Sequence, residues 1–342
     1  MEIASLENYI KILTTPNIKT KLFMNEIIYN WVPLSNPSII KTYTYYLDSN
    51  EYKNWNIEAT DLLTDLDANI IYIVAMNKFN HYHHLIAEIV MILQLYLNYF
   101  ADSTLDGKNF KLISSKERFT EPIMLEIFKL FDFKDKIQFI DNDKFYRGNI
   151  LYIKHFGGKA NMHYIGHTLP CLPRSKSSIF KQLIKKANEE NDNKPFFKKL
   201  WISRRNDKNG WNDRIVTNMD TLSNILLTND FKEMFFGTID ILYQIYLTNK
   251  ASIIFGEPGT GLMNMVFANE HSKLLTLQCP CHNWANILYE EVCTNSNAEY
   301  YEYSDCEDDI NHKDYNKDAF NRPYKINNII NFQGWLEGII IK

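Results

Sequence analysis

From Ile70 onward the chain alternates short apolar runs with longer segments whose apolar residues return every three or four positions. The runs IIYIV, FKLIS, IQFI and ILYI predict buried strands, with helices over 80–99 and 121–131. The second half repeats the alternation: LWIS, FKEMFF, SIIFG and KLLTL predict strands, and segments near 221–227 and 239–247 predict helices. Strands alternating with helices argue for parallel sheets covered by helices, so the predicted fold class is α/β with two Rossmann-like domains. Between the halves lie Gly157, Gly158, Pro170, Pro173 and the polar run NEENDNKP, flanking one helix whose residues Ile179, Phe180, Leu183, Ile184 and Ala187 share a face. The expected organisation is a domain over 1–155, a connection over 156–197 and a second domain over 198–342. Residues 1–60, with Pro33 and Pro37, are expected to pair onto the first sheet; 302–318 reads as an acidic, solvated loop, and INNIINFQGWLEGIII as a closing helix and packing segment.

The most informative stretch is 251–277, which reads as strand, glycine-bearing loop, helix and strand. Glycines let a main chain approach a ligand closely, and a loop entering a helix offers free N–H groups, so the pattern suits an anion, most often a phosphate. Gly256-Glu257-Pro258-Gly259-Thr260-Gly261 would open a nucleotide-triphosphate loop if Lys and Ser/Thr followed. Leu262 and Met263 follow instead, which excludes that ATPase motif. With Asn264 and Phe267 the phrase becomes G-x-G-L-x-N-x-x-F.

Upstream, LWIS runs directly into arginines, giving S-R-R-x(8)-R-x-x-x-N from Ser203, Arg204, Arg205, Arg214 and Asn218. The planar, permanently charged guanidinium suits phosphate oxygens at a strand's carboxyl edge. Arg214 and Asn218 serve equally as packing and capping residues, since Asn is a good N-cap for the helix that follows. Gln244 lies in the helical segment before the glycine loop, and the first half carries Asn80-His81-Tyr82-His83-His84, followed by Glu88, just after its first strand.

These phrases resemble glycosyltransferase family 61, whose members usually read H-G-A-G-L-x-N-x-x-F in the loop, SR with R-x-x-x-N ahead of it, and N-x-Y-H-W in the first half. The resemblance covers about residues 70–290 in three blocks in the family's order. It implies the GT-B architecture, two Rossmann-like domains facing across a cleft. It also implies transfer from a nucleotide sugar, first of all a UDP-sugar, to a glycan or polysaccharide acceptor, with inversion and without a metal or other cofactor. The implied donor site is Arg204, Arg205, Arg214, Asn218, Glu257, Gly259, Thr260, Gly261 and Asn264. The implied base for the acceptor hydroxyl is His83, with Glu88 as the second candidate. Two departures stand out: Pro258 replaces the family's usual histidine, and Thr260 replaces its alanine. Pro258 motivates the alternative, a catalytically silent nucleotide- or sugar-binding protein of the same fold.

Composition narrows the picture further. At 342 residues and 45% hydrophobic content the chain can bury two cores, and a formal charge of −4 gives no electrostatic basis for a nucleic-acid partner. No signal peptide is evident in MEIASLENYIKI, and the apolar stretch 85–100 is interrupted by Glu88, Gln94 and Asn98, so no transmembrane segment and a cytoplasmic location are expected. The five cysteines have no framework spacing, and Cys279-Pro280-Cys281 lacks the gap and second pair of a zinc site. His81, His83 and His84 lack the spacing that sets two imidazoles on one helical face. Asp141-Asn142-Asp143 after IQFI offers a competing metal-dependent donor site, although acidic turns are common.

Overall fold

The computed structural model describes residues 18–29, 32–33, 63–75, 104–105, 107–115, 136–140, 145–156, 178–205, 216–278, 280, 285–316 and 322–341. The chain forms two compact units, Met1–Cys171 and Leu172–Lys342.

In the first unit the strands are β1 (Ile18–Tyr29), β2 (Val32–Pro33), β3 (Leu63–Asp65), β4 (Ile70–Ala75), β5 (Thr104–Leu105), β6 (Lys108–Ser115), β7 (Ile137–Ile140) and β8 (Phe145–Phe156). They make one sheet of order β2-β1-β8-β4-β6-β5, with β3 added to β8 and β7 to β6. The β-branched runs expected as strands are strands, and β4 lies parallel to both β6 and β8. The sheet is mixed, however: the N-terminal strand β1 runs antiparallel along the whole of β8. Ile71, Phe110, Leu112, Ile137 and Ile140 are buried in it. Gly148 lets Leu66 pack where β3 passes into β4, for a Cβ there would lie 3.0 Å from the Leu66 Cβ.

The second unit opens with α1 (Ser178–Asn191) and continues through β9 (Lys199–Ile202), α2 (Met219–Thr228), β10 (Lys232–Met234), α3 (Ile241–Lys250) and β11 (Ile253–Gly256). A 3₁₀ helix over Thr260–Phe267 leads to β12 (Lys273–Leu277), α4 (Ala285–Ser296) and β13 (Glu299–Tyr303), then β14 (Cys306–Asp308), β15 (Tyr324–Ile326) and α5 (Ile329–Ile341). Its sheet, β10-β9-β11-β12-β13, is parallel throughout. Counted in chain order the strands stand 2-1-3-4-5, the doubly wound arrangement whose direction of winding reverses between β9 and β11.

Strands buried on both faces read as continuous apolar runs, and Leu200, Trp201, Ile254, Phe255, Leu274 and Leu275 are all inaccessible to solvent. One face packs Trp201, Phe255 and Leu275 against Leu222 and Leu226 of α2 and Phe332 and Leu336 of α5. Phe332 meets the rings of Phe255 and Tyr303 edge-on, at centroid distances of 6.0 and 5.3 Å.

Helix α1, in the stretch expected as the connection, packs on α3 and on the 3₁₀ helix, with Phe180 edge-on to Phe267 at 5.5 Å. Two elements differ from the sequence expectation. The helix expected after the glycine loop is 3₁₀ rather than α. Part of the acidic stretch expected as a solvated loop is paired strand: β14 runs antiparallel to β15, and Lys325–Glu307 and Arg322–Asp308 ion pairs at 3.2 and 3.0 Å neutralise its carboxylates.

Candidate functional site

Strand β9 runs into Ser203-Arg204-Arg205 and β11 into Glu257-Pro258-Gly259, so both segments lie at the carboxyl edge where the strand order reverses. In open α/β sheets this is where ligands bind. Side chains from several elements turn the loop's carbonyls inward. Thr276 Oγ1 on β12 donates to the Gly256 oxygen at 2.8 Å, and Arg204 Nη1 donates to that of Pro258 at 2.7 Å. The Tyr289 hydroxyl on α4 donates to the Gly259 oxygen at 3.2 Å, and Asn264 Nδ2 to that of Gly261 at 3.1 Å. With the oxygens so engaged, the N–H groups of Gly259 and Gly261 donate to nothing among the described residues. Unpartnered N–H groups at a helix entry are a seat for an anion.

The loop glycines are required first by the protein's own packing. A Cβ on Gly256 would lie 2.5 Å from Leu262 Cδ2 and 3.2 Å from the Ile202 carbonyl oxygen. One on Gly259 would lie 3.0 Å from Arg204 Cδ, and one on Gly261 would lie 3.1 Å from Ile202 Cγ2. The loop is pressed onto the end of β9, and the stem of Arg204 fills the space at Gly259.

The paired arginines part company. Arg204 is held against the loop, whereas Arg205 turns to β10 and grips Glu233 with both edges of its fork, Nε to Oε1 at 2.8 Å and Nη2 to Oε2. Arg205 also lies over the Trp201 ring, 5.0 Å from its centroid. The bond to Glu233 raises its already high pKa. Beside this pair Glu257 is 3% exposed, and among the described residues neither its carboxylate oxygens nor the Trp201 indole nitrogen has a hydrogen-bond partner. Burial pushes the Glu257 carboxyl up to about 7; its own main-chain N–H, the charge of Arg204 and the nearby Trp201 indole pull it down, and Glu233 pushes it up. The indole is near enough to favour the charged form without completing a hydrogen bond.

The family model described as Glycosyltransferase 61 matches residues 23–275, well over half of the chain. The chain belongs to glycosyltransferase family 61. The family match begins in β1, earlier than the motifs alone would place it, and ends in β12, so Tyr289 lies beyond it. The chain has no match among curated proteins.

Two residues of the family 61 phrases prove to be each other's partners. Asn264 Nδ2 donates to Gln244 Oε1 at 3.2 Å, and Gln244 Nε2 donates to the carbonyls of Phe236 and Ile239 at 2.8 and 2.9 Å. Asn264 thus shapes the loop from within, fully buried, and ties it to α3 and to the turn before α3. Asn218 stands at the N-cap position of α2 but makes no capping bond. Its amide instead clamps both main-chain groups of Ile326, donating to the oxygen at 2.9 Å and accepting from the nitrogen at 3.2 Å. Of the expected donor-site residues, the structure therefore gathers Arg204, Glu257, Gly259, Thr260 and Gly261 at the switch point. It gives Asn264, Arg205 and Asn218 partners within the protein.

His83, Glu88 and Arg214, together with Asp141, Asp143, Cys279 and Cys281, lie outside the described residues. Among the described residues no group of three or more His, Cys, Asp or Glu is placed to hold a metal, and no helix is long and apolar enough to cross a membrane. Sequence reasoning missed Tyr289, Thr276, Trp201 and Glu233. Only Trp201 carried a local signal, its place in the strand that runs into the arginines.

Proposed function

We propose that this family 61 protein transfers a sugar from a nucleotide sugar, a UDP-sugar before others, to a glycan acceptor, with inversion and without a metal. The observation that carries the reading is the glycine loop, with its carbonyls tied inward and the N–H groups of Gly259 and Gly261 donating to nothing among the described residues at the sheet's switch point. In this proposal the donor diphosphate sits on those N–H groups beside Arg204, and fixed dipoles and charge meet the leaving-group charge. His83, with Glu88 as second candidate, takes the proton of the acceptor hydroxyl. The GT-B arrangement and a cytoplasmic location belong to the same proposal.

A second reading, a catalytically silent nucleotide- or sugar-binding protein, is favoured by Pro258, which stands where many members carry histidine and whose carbonyl Arg204 holds. A thermal-shift panel of nucleotides and their sugar conjugates, with and without EDTA, tests the site, because a ligand that binds only the native state raises its stability. Stabilisation by UDP-sugars that survives EDTA is expected; stabilisation abolished by EDTA moves the site to Asp141 and Asp143. Arg204→Ala should weaken UDP binding by about 1.5 to 3 kcal/mol, the range for a charged hydrogen bond. Unchanged affinity in a folded variant removes Arg204 from the site, and turnover separates enzyme from silent protein.

A further inference from the structure

The buried carboxyl of Glu257 carries an inference that rests on the donor-site reading and deepens it. Glu257 directly follows β11 and stands two residues before Gly259, the first of the loop glycines whose N–H group donates to nothing among the described residues. It is buried, and among the described residues neither of its oxygens has a hydrogen-bond partner, which is rare for a carboxylate inside a protein. The charged groups that act on it are Arg204 at the end of β9 and Glu233 on β10. Arg205, whose own charge is favoured by Glu257, is bound to Glu233, and Asp220 of α2 acts on Arg205 in turn. Arg204 is shared with the Pro258 carbonyl. On the α4 side the neighbouring group is the Tyr289 hydroxyl, which donates to Gly259.

Two like charges close together in a dry site cannot both persist, and the group that can neutralise does so. A sugar nucleotide's diphosphate does not neutralise near neutral pH; a carboxylate can. We propose that Glu257 enters the donor complex as a neutral carboxylic acid, so that the nucleotide sugar is captured together with one proton from solvent. The acid's O–H then has an acceptor in a phosphate oxygen, and the buried carboxyl gains a hydrogen-bond partner. Glu257 is in this role a binding residue whose protonation state sets donor affinity. Burial has already brought the carboxyl up to about 7 before any ligand arrives, so the proton is taken up close to neutral pH.

The test is calorimetric titration of the full chain with UDP-glucose, whose two phosphates hold their charge across the neutral range, in buffers of different ionisation enthalpy. At about pH 8 the expected uptake is about one proton per molecule bound. Affinity should be flat below about pH 7 and fall by up to about tenfold per pH unit above it, until the carboxyl ionises in the complex. Glu257→Gln should bind with no proton uptake and no such slope. Should that variant fail to fold, the proton count of the native chain decides the matter alone. Binding of UDP-glucose with no proton uptake overturns the inference and leaves the donor site standing. Absence of binding by any UDP- or GDP-sugar at every pH overturns the donor-site reading and the inference together.

Discussion

Replacing Glu257 by glutamine isolates what its burial does to stability. The carboxyl rises from an ordinary 4.5 to about 7 because it is removed from water, a penalty that its own main-chain N–H, the charge of Arg204 and the Trp201 indole offset only in part. The folded state therefore binds this proton more tightly than the unfolded chain. Stability associated with it is present below about pH 4.5 and is lost as pH rises through about 7. At about 1.4 kcal/mol per pH unit, the full loss is about 3 kcal/mol, most of it between about pH 5 and pH 8. Glutamine keeps the shape and cannot ionise. The variant should thus gain on the native protein by about 2 to 3 kcal/mol as pH is raised from about 5 to about 8, a difference of about 5 to 10 °C in melting temperature for a unit of this size. Denaturant or thermal unfolding of both proteins at matched pH values measures it, and the difference between them cancels every other titrating group. Parallel stability curves across that range would mean that Glu257 ionises like a surface carboxylate, and the argument from its burial would fail.

Other perturbations follow from the same geometry. Gly256→Ala should destabilise by about 1 to 3 kcal/mol in chemical unfolding, since its Cβ would meet Leu262 Cδ2 and the Ile202 carbonyl, of which the main-chain oxygen cannot yield; a neutral result would mean that the loop is not pressed onto the end of β9. Asn264→Asp sets an acceptor against the Gln244 and Gly261 oxygens and should cost about 1 to 3 kcal/mol or more, and a double-mutant cycle with Gln244→Ala should show coupling between the two sites. Gly334 and Gly338 lie within α5, and a Cβ on either would meet nothing within 4 Å. Alanine at each should raise stability by about 0.5 to 1 kcal/mol, and a loss on unfolding assays would contradict the exposed helix face.

The sites of most described strands were legible because a buried strand writes itself locally: Leu200, Trp201, Ile253, Ile254 and Phe255 are apolar neighbours in the sequence as well as in the sheet. The terminal helix was legible for the same reason, with Phe332, Leu336 and Ile339 turned to the core at helical spacing. The 3₁₀ geometry of Thr260–Phe267 was not, because its apolar pattern fits an α-helix equally well. Likewise the acidic strand β14 has little strand character of its own. It is paired strand because Arg322 and Lys325 come back to it from 14 and 18 positions along the chain, opposite Asp308 and Glu307.

The candidate site divides in the same way. That a glycine loop follows an apolar strand, that arginines follow another, and that their order is that of family 61 can be read along the chain, because such motifs are contiguous. What each residue does there depends on how the strands and helices pack. The parallel order β10-β9-β11 brings Arg204 to Pro258 and Arg205 to Glu233, partners 54 and 28 residues apart. It also encloses Glu257 so that its carboxyl loses water without gaining a hydrogen-bond partner among the described residues. Gln244 and Asn264, motif residues in separate helices, become one buried pair only when α3 and the loop are packed together. Charge neutralisation, desolvation and hydrogen bonding act across space between groups that chain order keeps far apart, and no local pattern of residues records them.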